Sequence, residues 1–210
     1  CADDPEKEIF KIPDYLQKMV GNNWLGQKSK QGFYKKITKG VIHSIDFKTL
    51  EYSVQDKKRY AGVRLAKENT KVGDKIKALV NSDDTAGHFI WEITAKALLY
   101  SANRLGEIAD DIVNIDRAMC WGFGWELGPF EVWDAIGVRE TLDRMKTENK
   151  DIPAWVGQML DKRHETFYKR IEGVNCYWDI NKEDYLPITV SKKKLCFANF
   201  KYNGSLIEDH

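Results

Sequence analysis

The amino-acid sequence predicts a mainly α protein with short β-hairpin additions. Apolar residues recur at helical spacing through much of 84–164, which is typical of helices that bury one face. In 41–54 apolar and polar residues alternate instead, as they do along a strand. A third observation is a faint internal repeat, because a helix-then-hairpin pattern near the beginning of the chain returns near its end.

The repeat relates residues 33–52 to residues 167–185, with one residue deleted in the turn. The identical pairs in this stretch are Phe33–Phe167, Tyr34–Tyr168, Lys35–Lys169, Ile37–Ile171, Gly40–Gly173, Val41–Val174, Asp46–Asp179 and Tyr52–Tyr185. Upstream, Ile12, Pro13 and Met19 correspond to Ile152, Pro153 and Met159. The offset of about 134 to 140 residues is that of a whole domain rather than a short repeat. We therefore expect the tail of one domain followed by a complete second copy, within a segment of something longer.

The first 82 residues contain weaker signals. Helical spacing over 5–20 predicts a helix that Pro13 breaks or restarts, and 21–32 is a loop rich in Gly, Asn and Lys. Residues 33–54 predict a β-hairpin. The charged stretch that follows is expected to be a linker with short helices near Val63–Glu68 and Val72–Val80.

The helical region begins at residue 84. Thr85 is the expected N-cap of the first long helix, and Asn114 that of the second, with Asp116 in its first turn. Gly128 and Pro129 predict the N-cap and first residue of a short helix that stops at Gly137. Further helices are expected over 139–147 and 153–164. The last 45 residues are expected to be β-like and then unstructured.

Composition and charge limit the partners and the compartment that the sequence supports. The chain has 210 residues, 33 basic and 32 acidic side chains and a net charge of +1. This balance gives no support to a nucleic-acid or anionic-membrane partner, because both need a concentrated basic face. Four cysteines lie without zinc-like spacing, so reduced thiols in a cytoplasmic protein are expected. No apolar run approaches the roughly 20 residues of a membrane span.

Single residues that could carry chemistry are better explained structurally. His164 and Glu165 are adjacent, so on a helix they point in different directions, and both are expected on the surface. The four histidines lack metal-ligand spacing. Asp83–Asp84 and Asp110–Asp111 precede helices, where carboxylates cap amides. Cys120 is expected to be a small core residue. No Gly-rich phosphate-binding motif occurs.

Two longer motifs are more specific. The stretch from Ile115 to Gly137 resembles the D-x-A-…-G-x-G-x-x-M-G-P-F-E-L-x-D-x-x-G segment of 3-hydroxyacyl-CoA dehydrogenases. The stretch from Gly26 to Tyr34 resembles the G-x-K-x-G-x-G-F-Y segment that closes the C-terminal domain of the same family. The first motif carries the residues expected to be structural: Asp116, Gly122, Gly124, Gly128, Pro129, Phe130, Asp134 and Gly137.

The resemblance implies a helical domain like the C-terminal domain of 6-phosphogluconate dehydrogenase. In the family an N-terminal Rossmann domain binds NAD, and the helical domain completes the acyl-CoA cleft and supplies the dimer interface. Longer members carry two copies of the helical domain, and some add an enoyl-CoA hydratase domain. The implied organisation is the tail of copy one (1–54), a linker (55–83), copy two (84–188) and a tail towards a further domain (189–210).

The sequence also departs from the family. Nothing here corresponds to the catalytic His–Glu pair, which belongs to the Rossmann domain. The family has a substrate-facing Asn about 37 residues before the Gly of Gly-Pro-Phe, and that count reaches Trp91. Asn103–Arg104 lies too late to take that role. Copy two also lacks the loop of residues 21–32, so it is expected to be a non-catalytic duplicate that packs against copy one.

The leading hypothesis is a segment of an NAD-dependent 3-hydroxyacyl-CoA dehydrogenase of fatty-acid β-oxidation. The segment would bind no cofactor, have no catalytic residue and be inactive alone. Lys28 and Lys30 could meet the phosphates of CoA, although solvated lysines are the simpler explanation. Two alternatives stay open. The first is a non-catalytic assembly module, with a homodimer as the candidate assembly, which an exposed patch of Trp121, Trp125, Phe130 and Trp133 would favour. The second is a related dehydrogenase for a β-hydroxyacid or sugar acid.

Overall fold

A computed structural model describes residue 4, residues 7–56 and residues 58–189. The described residues form eight α-helices and two three-stranded antiparallel sheets, so the protein is mainly α as predicted. They divide into two compact units, one ending at Lys58 and one beginning at Arg59. None of the helices in the described ranges combines the length and the apolar character needed to cross a membrane. The predicted tail beyond residue 189 lies outside the described residues.

The first unit is a short helix followed by a β-meander. After a 3-10 turn at Lys7–Phe10, α1 spans Asp14–Gly21, and Pro13 is its N-cap, which confirms the predicted break. The predicted hairpin is a three-stranded meander of β1 (Tyr34–Thr38), β2 (Val41–Ile45) and β3 (Tyr52–Val54). The third strand arises because the turn after Asp46 reverses the chain again, with Leu50 in the left-handed region.

The second unit contains seven helices and the second meander. The helices are α2 (Ala61–Glu68), α3 (Val72–Val80), α4 (Thr85–Asn103), α5 (Ile112–Phe123), α6 (Pro129–Ile136), α7 (Val138–Thr147) and α8 (Ala154–Asp161). The strands are β4 (Tyr168–Ile171), β5 (Val174–Asp179) and β6 (Asp184–Pro187). The predicted bounds of α6 are confirmed, with Gly128 and Gly137 as its caps.

Two predicted N-caps were wrong by one and three residues. Asp84, not Thr85, caps α4 and accepts a hydrogen bond from the amide of Gly87 at 2.8 Å. Asp111, not Asn114, caps α5 and accepts from the amide of Asn114 at 2.7 Å. One aspartate of each Asp-Asp pair therefore occupies the cap, which agrees with the capping role expected for these pairs.

The predicted linker contains two packed helices. Helices α2 and α3 coincide closely with the two short helices expected there. Helix α3 packs against α4 and α6, and Val80 at its end is buried. Asp84 also accepts from the amide of Gly62 in α2 at 2.9 Å. The part of this segment from Arg59 onward therefore belongs to the second unit rather than connecting two units.

One hydrophobic core holds the second unit together. Its fully buried side chains include Phe130 and Trp133 from α6 and Phe167, which precedes β4. The Phe167 ring lies 5.1 Å from that of Phe130 and 5.3 Å from that of Trp133, centroid to centroid. The meander is thus attached to the helices by an aromatic cluster, and each of its rings buries a large apolar surface.

The internal repeat has a structural counterpart in both units. The helix with a Pro N-cap, the buried Met and the three-stranded meander recur in the same order as α1–β1–β2–β3 and α8–β4–β5–β6. Tyr52 donates its hydroxyl to the carbonyl of Gly32 at 2.5 Å, and Tyr185 donates to the carbonyl of Thr166 at 2.5 Å. The aligned residues therefore make the same contacts.

Further matched contacts follow the same alignment. The ammonium of Lys35 lies over the Tyr52 ring, and that of Lys169 lies over the Tyr185 ring. In the turns, Asp46 Oδ1 accepts from two main-chain amides, and Asp179 Oδ1 does the same. One difference is the loop before the meander. Nine positions separate Trp24 from Phe33 but three separate His164 from Phe167, so the first loop is six residues longer.

Candidate functional site

The long motif brings the second turn of α5 against the start of α6. Gly128, the N-cap of α6, has no side chain with which to cap the helix. Asp116 of α5 caps it instead: its carboxylate accepts from the amides of Phe130 at 2.9 Å and Glu131 at 3.1 Å. Glu131 in turn accepts from the amide of Gly128 at 2.8 Å. One helix thus satisfies the amides that the next helix leaves unpaired.

Gly128 is required by this close approach. A Cβ at this position would lie 2.2 Å from the Cβ of Asp116 and 2.4 Å from its Cα. Real side chains do not approach so closely, and backbone atoms cannot move aside as a flexible side chain can. The glycine of the Gly-Pro-Phe sequence is therefore explained by contact with the aspartate twelve residues earlier.

Asp134 ties the meander to α6 in the same way. Its carboxylate accepts from the amide of Phe167 at 2.7 Å and from that of Tyr168 at 2.8 Å. The hydroxyl of Tyr168 returns to Asp116, donating to Oδ2 at 2.8 Å. We call Asp116, Asp134 and Tyr168 the aspartate cluster. Its hydrogen bonds join α5, α6 and β4 and connect residues that are 14 to 52 positions apart in sequence.

Burial dominates the electrostatics of the aspartate cluster. Removal from water raises the pKa of Asp116 to about 7, although amides and the Tyr168 hydroxyl bond to its carboxylate. Removal from water likewise raises the pKa of Asp134 to about 7. The same burial, together with the Asp116 charge, raises the pKa of Tyr168. Every carboxylate oxygen of the pair accepts at least one of these hydrogen bonds, so the cluster joins the three elements structurally.

Asp116 was wrongly placed by the sequence in the first turn of its helix. It lies in the second turn of α5 and is buried, so it stabilises α6 rather than the dipole of its own helix. Among the other motif residues, Pro129 and Phe130 are buried at the start of α6. Gly124 and Gly137 end helices with φ of 70° and 99°, which glycine adopts easily. Gly122 faces open space, and the structure gives no reason for a glycine there.

A cavity of about 590 Å³ opens beside the aspartate cluster. Its lining includes Asp116, Arg117, Cys120, Glu131 and Lys169. Cys120 is thus partly exposed at the cavity rather than packed in the core as predicted, because the cavity opens on the face of α5 that it shares with Asp116. Burial and neighbouring carboxylates raise the pKa of its thiol, which makes it a poor nucleophile.

The expected aromatic patch is divided between the surface and the core. Trp121 and Trp125 are exposed, as is Phe123 between them. Phe130 and Trp133 are fully buried, so their inclusion in an exposed patch was wrong. The cause is the turn at Gly124, which separates the exposed end of α5 from the core face of α6.

The loop of residues 21–32 is held by its glycines and one serine. Ser29 Oγ accepts from the amide of Leu25 at 2.8 Å and donates to the carbonyl of Gln31 at 2.9 Å. Gly26 has φ of 97°, and a Cβ on Gly32 would lie 2.6 Å from the Gly26 Cα. The two glycines thus let the backbone at Gly26 approach the backbone at Gly32 closely.

Lys28 and Lys30 lie on this loop in the first unit and are exposed. Lys30 borders a groove of about 720 Å³ with Phe33, Tyr34 and Lys36, whereas Lys28 is absent from its lining. The groove is mostly apolar with two lysines at its edge. The aspartate cluster belongs to the second unit, so the two parts of the motif prediction concern separate units.

Trp91, which the family comparison placed at a substrate-facing position, is buried. Its Nε1 donates to both carboxylate oxygens of Glu148, at 2.8 and 2.9 Å, and the guanidinium of Arg144 lies 4.1 Å above its ring. Of the other candidates, Glu165 pairs with Arg139 at 2.7 Å and the His164 ring stacks on Trp178. Sequence reasoning missed Tyr168 and Glu148; only the repeat pointed to Tyr168. Among the described residues, no group of three or more His, Cys, Asp or Glu could hold a metal ion.

These features define a class: a helical domain closed by a β-meander and centred on two buried aspartates. Over 206 residues the chain is 46% identical to a Bacillus subtilis (strain 168) protein named "Probable 3-hydroxyacyl-CoA dehydrogenase", an alignment covering 98% of the chain. It is 29% identical over 208 residues, 96% of the chain, to a Rickettsia felis (strain ATCC VR-1525 / URRWXCal2) protein named "Putative fatty acid oxidation complex trifunctional enzyme". The chain is therefore homologous to a region of a 3-hydroxyacyl-CoA dehydrogenase, which confirms the resemblance.

The chain spans 26% of the length of each of these two relatives. No protein-family model matches it, and no solved structure matches it significantly. The relatives' names therefore describe proteins about four times as long as this chain.

Proposed function

We propose that this chain supplies the helical C-terminal part of an NAD-dependent 3-hydroxyacyl-CoA dehydrogenase of fatty-acid β-oxidation. The observation that carries the proposal is the 46% identity over 98% of the chain, together with the aspartate cluster that accounts for the motif. In this proposal residues 84–188 are a second copy of the family's helical domain, like that of 6-phosphogluconate dehydrogenase, and residues 1–54 are the tail of the first copy.

The proposal places NAD binding outside this chain. Both sheets of the described residues are three-stranded antiparallel meanders, whereas a dinucleotide site of the Rossmann type needs a parallel sheet and a Gly-rich turn. The sequence contains no G-x-G-x-x-G. We therefore assign the cofactor and the hydride transfer to other parts of the parent enzyme, and we expect this chain to be inactive alone.

The loop lysines are the proposed contact with substrate. Lys28 and Lys30 are exposed on a loop whose backbone is held by Gly26, Ser29 and Gly32, so the loop presents both lysines at the surface. Lys30 borders the apolar groove and Lys28 lies two residues before it on the same loop, so their ammonium groups suit the phosphates of an acyl-CoA whose acyl chain lies in the groove.

Calorimetric titration with acetoacetyl-CoA tests this role. We expect binding that Lys28→Ala or Lys30→Ala weakens about threefold to tenfold, since an exposed ion pair contributes about 0.2–1 kcal/mol and a more specific contact somewhat more. Lys48→Ala, an exposed lysine in the turn before β3, is the matched control and should leave the affinity unchanged. NADH should give no heat; binding of NADH would contradict the assignment of the cofactor elsewhere.

A second candidate is a non-catalytic assembly module of the same multifunctional protein. It is favoured by the exposed aromatic residues Trp121, Phe123 and Trp125 at the end of α5, because exposed aromatic clusters are typical of protein interfaces. Absence of heat with acetoacetyl-CoA, combined with a concentration-dependent dimer in sedimentation that Trp121→Ser disrupts, would favour this candidate.

A further inference from the structure

The two copies of the meander differ in how much of the same surface is covered. Phe167 is fully buried, whereas its repeat partner Phe33 is 44% exposed. Tyr168 is half-buried, whereas its partner Tyr34 is 59% exposed. The strand order, the pairing of Tyr34 and Tyr168 and the Tyr–carbonyl hydrogen bonds match, and the first meander differs by a β-bulge between Lys36 and Thr38, away from Phe33. The difference in burial therefore follows from what packs on the two meanders.

The cover in the second unit is the α5–α6 helix pair. Its Asp134 accepts from the amides of Phe167 and Tyr168, its Asp116 accepts from the Tyr168 hydroxyl, and its Phe130 packs on the Phe167 ring. Each receiving group has a counterpart in the first unit: the amides of Phe33 and Tyr34, the Tyr34 hydroxyl and the Phe33 ring.

Charge is complementary as well. In the second unit Lys169 and Arg170 line the same cavity as Asp116, Glu126 and Glu131 of the helix pair. At the corresponding positions the first unit has Lys35 and Lys36, and Lys36 with Lys30 borders the apolar groove next to Phe33 and Tyr34. A basic rim around an apolar strip suits an acidic helix pair.

We infer that the Phe33–Tyr34 face of the first unit is a docking surface for a second helix pair of the α5–α6 kind. The occupant begins its second helix with a Gly-Pro-aromatic sequence and presents one buried aspartate to the amides of Phe33 and Tyr34, and another to the Tyr34 hydroxyl. The two relatives have about three-quarters of their length outside the aligned region, so such a segment can come from the same polypeptide there.

The probe is a peptide of residues 112–137, the helix pair of this chain, added to the isotopically labelled 210-residue chain. We expect saturable changes at the amide resonances of Phe33 and Tyr34 and none at those of Phe167 and Tyr168, whose face is occupied. The affinity will be modest because a short isolated helix pair must fold as it binds. Nuclear magnetic resonance detects such weak binding.

Variants assign the contacts. In the peptide, Asp134→Ala should weaken binding about tenfold, since it removes two charge-assisted hydrogen bonds, while Asn114→Ala on its exposed face is the control. In the chain, Phe33→Ala should weaken binding and Val54→Ala, exposed on β3, should not. No change at Phe33 and Tyr34 with peptide at saturating millimolar concentration, or binding that Asp134→Ala leaves intact, would overturn the inference.

Hydrogen exchange of the chain alone provides a test that does not depend on the peptide's folding. The amides of Phe33 and Tyr34 should exchange at least about a hundredfold faster than those of Phe167 and Tyr168, because only the latter pair donates to a buried carboxylate. Equal protection would mean that the face is already covered, and the inference would fail. The inference does not depend on acyl-CoA binding, which has its own measurement.

Discussion

The two meanders form a natural comparison within one chain. They share strand order and, apart from a β-bulge between Lys36 and Thr38, register. They also share a Tyr hydroxyl bonded to the carbonyl before the first strand, and a Lys over that Tyr ring. They differ in that Phe167 is fully buried and Phe33 is 44% exposed. Local sequence therefore suffices to form the meander, while the burial of its first aromatic residue depends on helices from elsewhere in the chain.

The aspartates show the same contrast in electrostatic form. Asp46, in the turn after β2, and Asp134, on α6, each accept two main-chain amides. The amides of Thr49 and Lys48 lower the pKa of the exposed Asp46, whereas burial raises the pKa of Asp134 to about 7. The same hydrogen bonds thus favour ionisation at the surface and fail to offset desolvation in the core.

The largest expected effect is the difference in unfolding free energy between the variants that remove the Phe167 ring and the Phe33 ring. Phe167→Ala should lower the free energy of unfolding of the second unit by about 3–5 kcal/mol, because it empties the centre of a packed aromatic cluster. Phe33→Ala should cost less than about 1 kcal/mol, because that ring is already partly in water. Urea unfolding followed by tryptophan fluorescence measures the first variant, since six of the seven tryptophans lie in the second unit.

The Phe33→Ala variant is better followed by hydrogen exchange at β1–β3, because one tryptophan, Trp24, reports on the first unit. Similar costs for the two variants would break the comparison. They would mean that Phe33 is covered to the same degree as Phe167 in solution.

A somewhat smaller effect tests the close contact between Gly128 of α6 and Asp116 of α5, which holds together the helix pair that covers the second meander. Gly128→Ala should destabilise the second unit by about 3 kcal/mol, because its Cβ would overlap Asp116 and push α5 from α6. Gly122→Ala is the matched control from the same motif. It faces open space within α5, so it should be neutral or stabilising by up to about 1 kcal/mol. Thermal unfolding monitored by circular dichroism compares the two, and equal effects would contradict the role given to Gly128.

Much of the fold was predictable from local patterns. The Pro13 break, the short helices in the 55–83 segment and the caps of α6 depend on residues close together in sequence, and these predictions are confirmed. The N-caps of α4 and α5 were misplaced because neighbouring polar residues compete for each cap and geometry decides between them. The alternation over 41–54 covers β2 and β3, and the predicted hairpin is a three-stranded meander because Tyr34–Thr38 pairs with β2 as a further strand.

The site was less predictable because its contacts cross long sequence distances. The motif marked Asp116, Gly128 and Asp134, but nothing local indicates that Asp116 caps another helix or that Tyr168 reaches it across 52 positions. Cys120 and Trp133 both occur in apolar helical runs, yet one faces a cavity and the other the core. Helical spacing identifies an apolar face, and only packing shows which neighbour covers it.

The smallest predicted effect is a pH dependence that separates the buried from the exposed aspartate. Burial raises the pKa of Asp116 and Asp134 from 3.8 to about 7, so their contribution to stability is complete below about pH 4 and is lost as the pH rises through about 7. Between about pH 6.5 and 8 the unfolding free energy of the second unit should fall by about 2 kcal/mol, to which each aspartate contributes about half. Asp134→Asn should reduce this slope, while Asp46→Asn, the exposed control, should leave it unchanged because the lowered pKa of Asp46 affects stability only at more acidic pH. Stability that rises from pH 5 to 8, with a slope insensitive to Asp134→Asn, would show that both aspartates are ionised throughout and that their donors outweigh burial.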